Sequence, residues 1–293
     1  TGYIQAAPYL RATIGGTSTL NISTAGNARP NFAIVPVGVD GKISVYLHAG
    51  GNIILDVMGY FADTGGTSTT SDNGRFVPLA APERWMDTRG IGGAPLPAAF
   101  SGTPRLANAG ETLLIPTLGS TTVPTTGVAA LVVNVTAANA GANGYLRADP
   151  NGGSGPHSTV NYTSASASAN TSIVPLSNGD QLFAGGEISV FASTSVNVIV
   201  DVVGYITDGD AADVSTGLFR TITPGRALDT RPSNAFTTNE SRSITLTGLS
   251  APAPVVPVGA AGVSANLTVV NPAANGFLKA YPNSEPLTST MNF

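Results

Sequence analysis

One pattern of short motifs is written three times along this chain, and that repetition limits the fold more tightly than any single residue. The first copy is a closing half over 1–63. It contains Gly2-Tyr3-Ile4, then Ser18-Thr19-Leu20-Asn21, then Asn52-Ile53-Ile54-Leu55-Asp56-Val57-Met58-Gly59-Tyr60. A complete copy spans 75–208, with Gly144-Tyr145-Leu146, Ser158-Thr159-Val160-Asn161 and Asn197-Val198-Ile199-Val200-Asp201-Val202-Val203-Gly204-Tyr205. The third, over 218–293, is an opening half that reaches Gly276-Phe277-Leu278 and Ser289-Thr290-Met291-Asn292. Polar stretches over 64–74 and 209–217, each following a Gly-Tyr strand, read as flexible linkers. Residues present in every copy are expected to hold the unit together, whereas a chemical site belongs where the copies differ.

The local pattern is β throughout. Leu131, Val133 and Val135 alternate with Asn134 and Thr136, and Val196, Val198, Val200 and Val202 make a second alternating face. Ile34-Val35-Pro36-Val37 matches Ile173-Val174-Pro175-Leu176, and Lys42-Ile43-Ser44-Val45-Tyr46 matches Glu187-Ile188-Ser189-Val190-Phe191. Short strands at regular spacing, with Gly, Pro and Asn between them, predict an antiparallel sandwich. No stretch has a capped helical period. A unit of about 130 residues exceeds the roughly 100 of an immunoglobulin domain, so the expected fold is all-β, built of tandem jelly-roll-like sandwiches.

Charge is sparse, at 10% of residues, against about 25% in an ordinary globular chain. The net charge is −4 with no basic run, which argues against a nucleic-acid partner. Cysteine is absent, so there is neither a disulfide framework nor a thiolate metal site. No apolar run approaches the roughly 18 residues of a membrane span. The chain starts at Thr1 instead of Met, which predicts a processed form or a fragment of a longer array.

Pro82-Glu83-Arg84-Trp85-Met86-Asp87-Thr88-Arg89 is answered by Pro224-Gly225-Arg226-Ala227-Leu228-Asp229-Thr230-Arg231. A Val-Asn-Val-Thr strand follows (Val133 to Thr136, and Ala265-Asn266-Leu267-Thr268), then the Ser-Thr-x-Asn and Val-Asp-Val-x-Gly-Tyr strands. This order resembles a repeat of secreted and surface proteins of actinobacteria and other bacteria. The resemblance covers nearly the whole chain. It implies an exported β-domain, often in tandem or attached to secreted hydrolases, with no settled biochemical activity.

Asp56 and Asp201 interrupt otherwise apolar strands, where an unpaired carboxylate is costly. Arg84, Asp87 and Arg89 of the complete copy, and Arg226, Asp229 and Arg231 of the third, are their expected partners. An Arg fork on the strand Asp would pin the opening segment of a unit to its closing strand. Nothing in the chain supplies a nucleophile–base set to turn this network to catalysis. His48 and His157 do not recur between copies and read as surface-loop or strand-end residues.

Asn-x-Ser/Thr occurs at Asn21, Asn134, Asn161, Asn170, Asn239 and Asn266, mostly at equivalent strand positions, which predicts a hydrogen-bonded polar ladder. Lys42 and Lys279 are the only lysines, so a crosslink common to all copies is excluded. Asp208, Asp210 and Asp213, with Asp180, are candidate calcium ligands, and a solvated acidic linker explains the same residues. Trp85, the only tryptophan, is the candidate glycan contact, or else a core cap.

The expected protein is a non-enzymatic, extracellular or cell-surface structural protein without a cofactor, its partners other copies of itself joined head-to-tail in a filament. The alternative is a carbohydrate-binding or adhesive accessory region of a secreted hydrolase, with cell-surface polysaccharide as its ligand.

Overall fold

A computed structural model describes residues 2–8, 19–22, 30–35, 39–48, 50, 52–53, 55, 57, 74–91, 94–116, 122–150, 157–164, 167–177, 186–211, 227–231, 233–248, 256–260, 263–265, 267, 269, 274, 276–280 and 290–292. They form strands β1 (Gly2–Pro8), β2 (Leu20–Ile22), β3 (Ile43–Leu47), β4 (Phe76–Asp87), β5 (Thr112–Pro116), β6 (Val128–Ala138), β7 (Gly144–Pro150), β8 (Val160–Tyr162), β9 (Ser168–Pro175), β10 (Glu187–Ala192), β11 (Asn197–Thr207), β12 (Phe277–Leu278) and β13 (Met291–Asn292). No α-helix occurs among the described residues, and none of them forms a helix long and apolar enough to cross a membrane.

Between β4 and β11 the chain folds as a rolled ribbon. The first strand pairs with the last, β5 with β10, β6 with β9 and β7 with β8, all antiparallel. Rolling the ribbon adds the β11–β6 and β10–β7 pairs and gives two four-stranded sheets, β4-β11-β6-β9 and β5-β10-β7-β8. This is the pairing of a jelly roll. The sheets enclose one core, in which Leu131, Val133, Val135, Val198, Val200 and Val202 meet Leu113, Leu146, Val160, Ile188 and Val190. The two ends of the ribbon are tied together: Arg75 N donates to Thr207 Oγ1 at 2.9 Å and Thr207 N to Arg75 O at 2.9 Å.

The alternation in β6 and β11 does not separate a wet face from a dry one. Asn134 and Thr136, expected on the polar side, are buried, as are Ile199 and Asp201. Both strands run through the middle of their sheet, and both of their faces are covered. Of the Asn-x-Ser/Thr positions, Asn161 and Asn170 bond outside any shared ladder, and the Asn21 side chain and Asn266 lie outside the described residues. Asn161 Nδ2 donates to the nearby Ser158 Oγ, Asn170 Nδ2 to Thr159 O, and the Thr136 hydroxyl has no hydrogen-bond partner among the described residues. Asn239 stands in a turn at φ 61°, the left-handed region that Asn tolerates.

Segments that share sequence also share register. Tyr3 faces Asn21, Tyr145 faces Asn161 and Phe277 faces Asn292. In each case the Thr of Ser-Thr-x-Asn replaces a strand carbonyl. Its hydroxyl accepts from Ala6 N at 2.9 Å, Ala148 N at 2.9 Å and Ala280 N at 2.8 Å in the three copies. Its own N–H donates to Ile4 O, Leu146 O or Leu278 O. β3 lies on β1 as β10 lies on β7, with Gln5 opposite Tyr46 and Arg147 opposite Phe191. The Gly of the Gly-Tyr motif has a steric cause: a Cβ on Gly204 would stand 2.5 Å from the Phe76 ring and 2.6 Å from Val77 O.

Candidate functional site

The charged residues of the opening segment meet the closing strand because of a bulge. Along β4, Asp87 faces Ile199 and Met86 faces Val200, but Arg84 faces Asp201, which leaves Trp85 as an extra residue. Without it Trp85 would stand opposite Asp201, and Arg84 would move to the core side with Val202. With it, Arg84 Nε donates to Asp201 Oδ1 at 2.9 Å and Nη2 to Oδ2 at 3.3 Å. The third nitrogen, Nη1, reaches Asp87 Oδ2 at 3.3 Å. Arg89 closes the set through Nε to Asp87 Oδ1 at 2.9 Å and Nη2 to Oδ2 at 2.7 Å.

Two cations and two carboxylates thus neutralise one another in a buried setting, with side-chain exposures of 12% for Arg84, 1% for Asp201 and 0% for Asp87. Burial is the largest influence on Asp201 and raises its pKa above the usual carboxylate value, against the pull of the Arg84 guanidinium. The hydrogen bond to Asp87 raises the pKa of Arg89 still higher. No nucleophilic side chain takes part in these bonds, so the arrangement crosslinks strands without activating a group for attack.

Two further residues belong to this junction and were not singled out from sequence. The Thr88 hydroxyl accepts from Val198 N at 2.9 Å and from Asn197 Nδ2 at 3.0 Å. Asn197 Nδ2 also donates to Arg105 O, and Asn139 Nδ2 donates to Asn197 Oδ1. Their signal was available, since Thr230 and Asn52 stand at the matching places in the other copies.

In the third copy Arg231 holds Asp229 with the same geometry: N to Oδ1 at 3.0 Å, Nε to Oδ1 at 2.9 Å and Nη2 to Oδ2 at 2.7 Å. There the pair is 60% and 31% exposed, against 26% and 0% for Arg89 and Asp87. Arg226 and Asp56 lie outside the described residues.

Trp85 is partly buried against the core, and its indole N–H donates to Glu83 Oε2 at 3.3 Å. Asp208 Oδ1 accepts from Asp210 N at 2.8 Å, a local turn. Asp213 and Asp180 lie outside the described residues, among which no three His, Cys, Asp or Glu side chains gather as a metal site. His48 is exposed just after β3. His157 stands at the strand end just before β8 and is partly buried, with Nε2 3.4 Å from Asp149 Oδ1 and 3.3 Å from Ala148 O. Arg147 Nε donates to the same carboxylate at 2.5 Å, and its guanidinium lies 4.8 Å from the Phe191 ring centre. This second cluster is specific to the middle copy, since Gln5, Ala7 and Thr17 replace the three residues in the first.

No protein family, characterised protein or solved structure matches the chain.

Proposed function

We propose that this chain is a non-enzymatic structural protein of a bacterial surface or extracellular filament, in which copies of one β-sandwich repeat associate head-to-tail. The observation that carries the reading is the internal neutralisation of the recurring motif. Arg84, Asp87, Arg89 and Asp201 satisfy one another inside the unit and present no acid, base or nucleophile to a substrate. Kinship with the exported repeats of actinobacteria is part of this proposal. An absence of cysteine and a sparse charge are compatible with an extracellular setting.

Association of copies is supported by one apolar stripe. Ile53, Leu55 and Val57 are 44%, 62% and 81% exposed, while their counterparts Val198, Val200 and Val202 are all 0% exposed between flanking strands. A stretch of this composition gains by burial when an opening segment of the Asp229–Arg231 kind is laid beside it. Arg226, the counterpart of Arg84, would then be available to Asp56 while Arg231 keeps Asp229, rebuilding the junction seen around Asp201. A carbohydrate-accessory role is not advanced, because Trp85 is partly buried against the core and its indole N–H is engaged by Glu83.

Light scattering with electron microscopy tests the reading. Concentration-dependent growth into ordered polymers that stops when residues 1–63 are deleted is the expected result. A chain that stays monomeric at high concentration, or that hydrolyses a polysaccharide, would overturn it.

A further inference from the structure

We infer that the outer edge of β9 is a docking surface for neighbouring copies of the repeat, with Asn170 as its latch. β9 is the last strand of the β4-β11-β6-β9 sheet, and an uncovered edge of this kind invites uncontrolled pairing. The Asn170 side chain divides its two arms. Nδ2 donates to Thr159 O at 2.9 Å and closes the gap between β8 and β9 within its own unit. Oδ1 accepts from the backbone N–H of Phe32 at 3.1 Å, a residue of the first copy. β13 of the third copy also lies close to β9.

The first copy shows that the inward arm belongs to the repeat. Asn31 occupies the position matching Asn170, and its Nδ2 donates to Thr19 O at 2.8 Å just as Asn170 does to Thr159 O. The residue that follows Asn31 is Phe32, the donor to Asn170. A hydrogen bond from Phe32 of the first copy therefore reaches the middle copy at the gap between β8 and β9, and an amide that locks a unit internally also locks it to its neighbour. The first and middle copies joined in this way are held in a fixed orientation, although the connecting stretch over 64–74 has the composition of a flexible linker.

The inference rests on the reading that copies of this repeat associate, but it is tested on dilute monomer, where polymer growth plays no part. Phe32→Pro removes the donor without touching the middle unit, and Asn170→Ala removes both arms. Amide exchange at Phe32 and small-angle X-ray scattering are the readouts on the full chain. The Phe32 amide should exchange about tenfold faster in Asn170→Ala than in the parent chain, the loss expected for one hydrogen bond. Phe32→Pro should increase the radius of gyration while leaving exchange in β6 and β11 unchanged. An unprotected Phe32 amide in the parent chain, or a radius of gyration that Phe32→Pro does not alter, overturns the latch.

Discussion

Arg84 grips Asp201 with two nitrogens, at 2.9 and 3.3 Å, and so fastens the first strand of the roll to the last across 117 residues of chain. Asp201 is almost fully buried, so loss of its partner leaves an uncompensated charge. Asp201→Ala or Arg84→Ala should cost about 3–5 kcal/mol in urea unfolding, whereas the double change Arg84→Met with Asp201→Leu should recover most of it. Additive losses in the double variant would show that the pair is not coupled.

The pH dependence has a defined sign. Burial raises the Asp201 pKa, so the folded state holds that proton more readily than the unfolded chain. Its contribution is fully present below the ordinary carboxylate range and is lost as pH rises through the raised folded value. Glu111 behaves in the opposite sense. The Arg105 hydrogen bond lowers its pKa, so its contribution is present above the ordinary range and lost as pH falls through the lowered value. Unfolding curves between about pH 3 and 7 should therefore show the wild-type advantage over Asp201→Asn shrinking with pH and that over Glu111→Gln growing. A growing Asp201 difference would mean that Arg84 outweighs burial.

Thr159 supplies the acceptor for the buried Ala148 N–H at 2.9 Å. Thr159→Val keeps the shape and removes the acceptor, with an expected loss of about 1–3 kcal/mol. Thr159→Ser should stay near wild type. Equal thermal shifts in the two variants would assign the effect to packing instead.

Gly204→Ala forces a methyl to 2.6 Å from Val77 O, a backbone atom with little freedom to retreat, and to 2.5 Å from the Phe76 ring. Overpacking of this kind costs about 1–3 kcal/mol, readable by calorimetry. The β4–β11 pair should loosen first, so amide exchange at Val77 and Tyr205 should quicken. Unchanged exchange there would contradict the steric role of the glycine.

Strand identity was legible in the sequence because period-two alternation is a property of single strands, as Val196, Val198, Val200 and Val202 show by lining the core together. The recurrence of Arg84, Asp87, Arg89 and Asp201 likewise named the members of the charged junction. Which arginine reaches Asp201 was not legible. That depends on one extra residue, Trp85, and a shift of one position carries every later side chain to the opposite face. Thr88 and Asn197 recur with the motifs, but the bond between them was hidden, because it joins groups 109 residues apart that only the strand order brings together. The burial of Asn134 and Thr136 followed from the central place of β6, since alternation marks two faces of a strand but not whether the second face is covered. Composition and repetition determined the kind of fold. Register and neighbourhood, set by long-range pairing, decided the chemistry inside it.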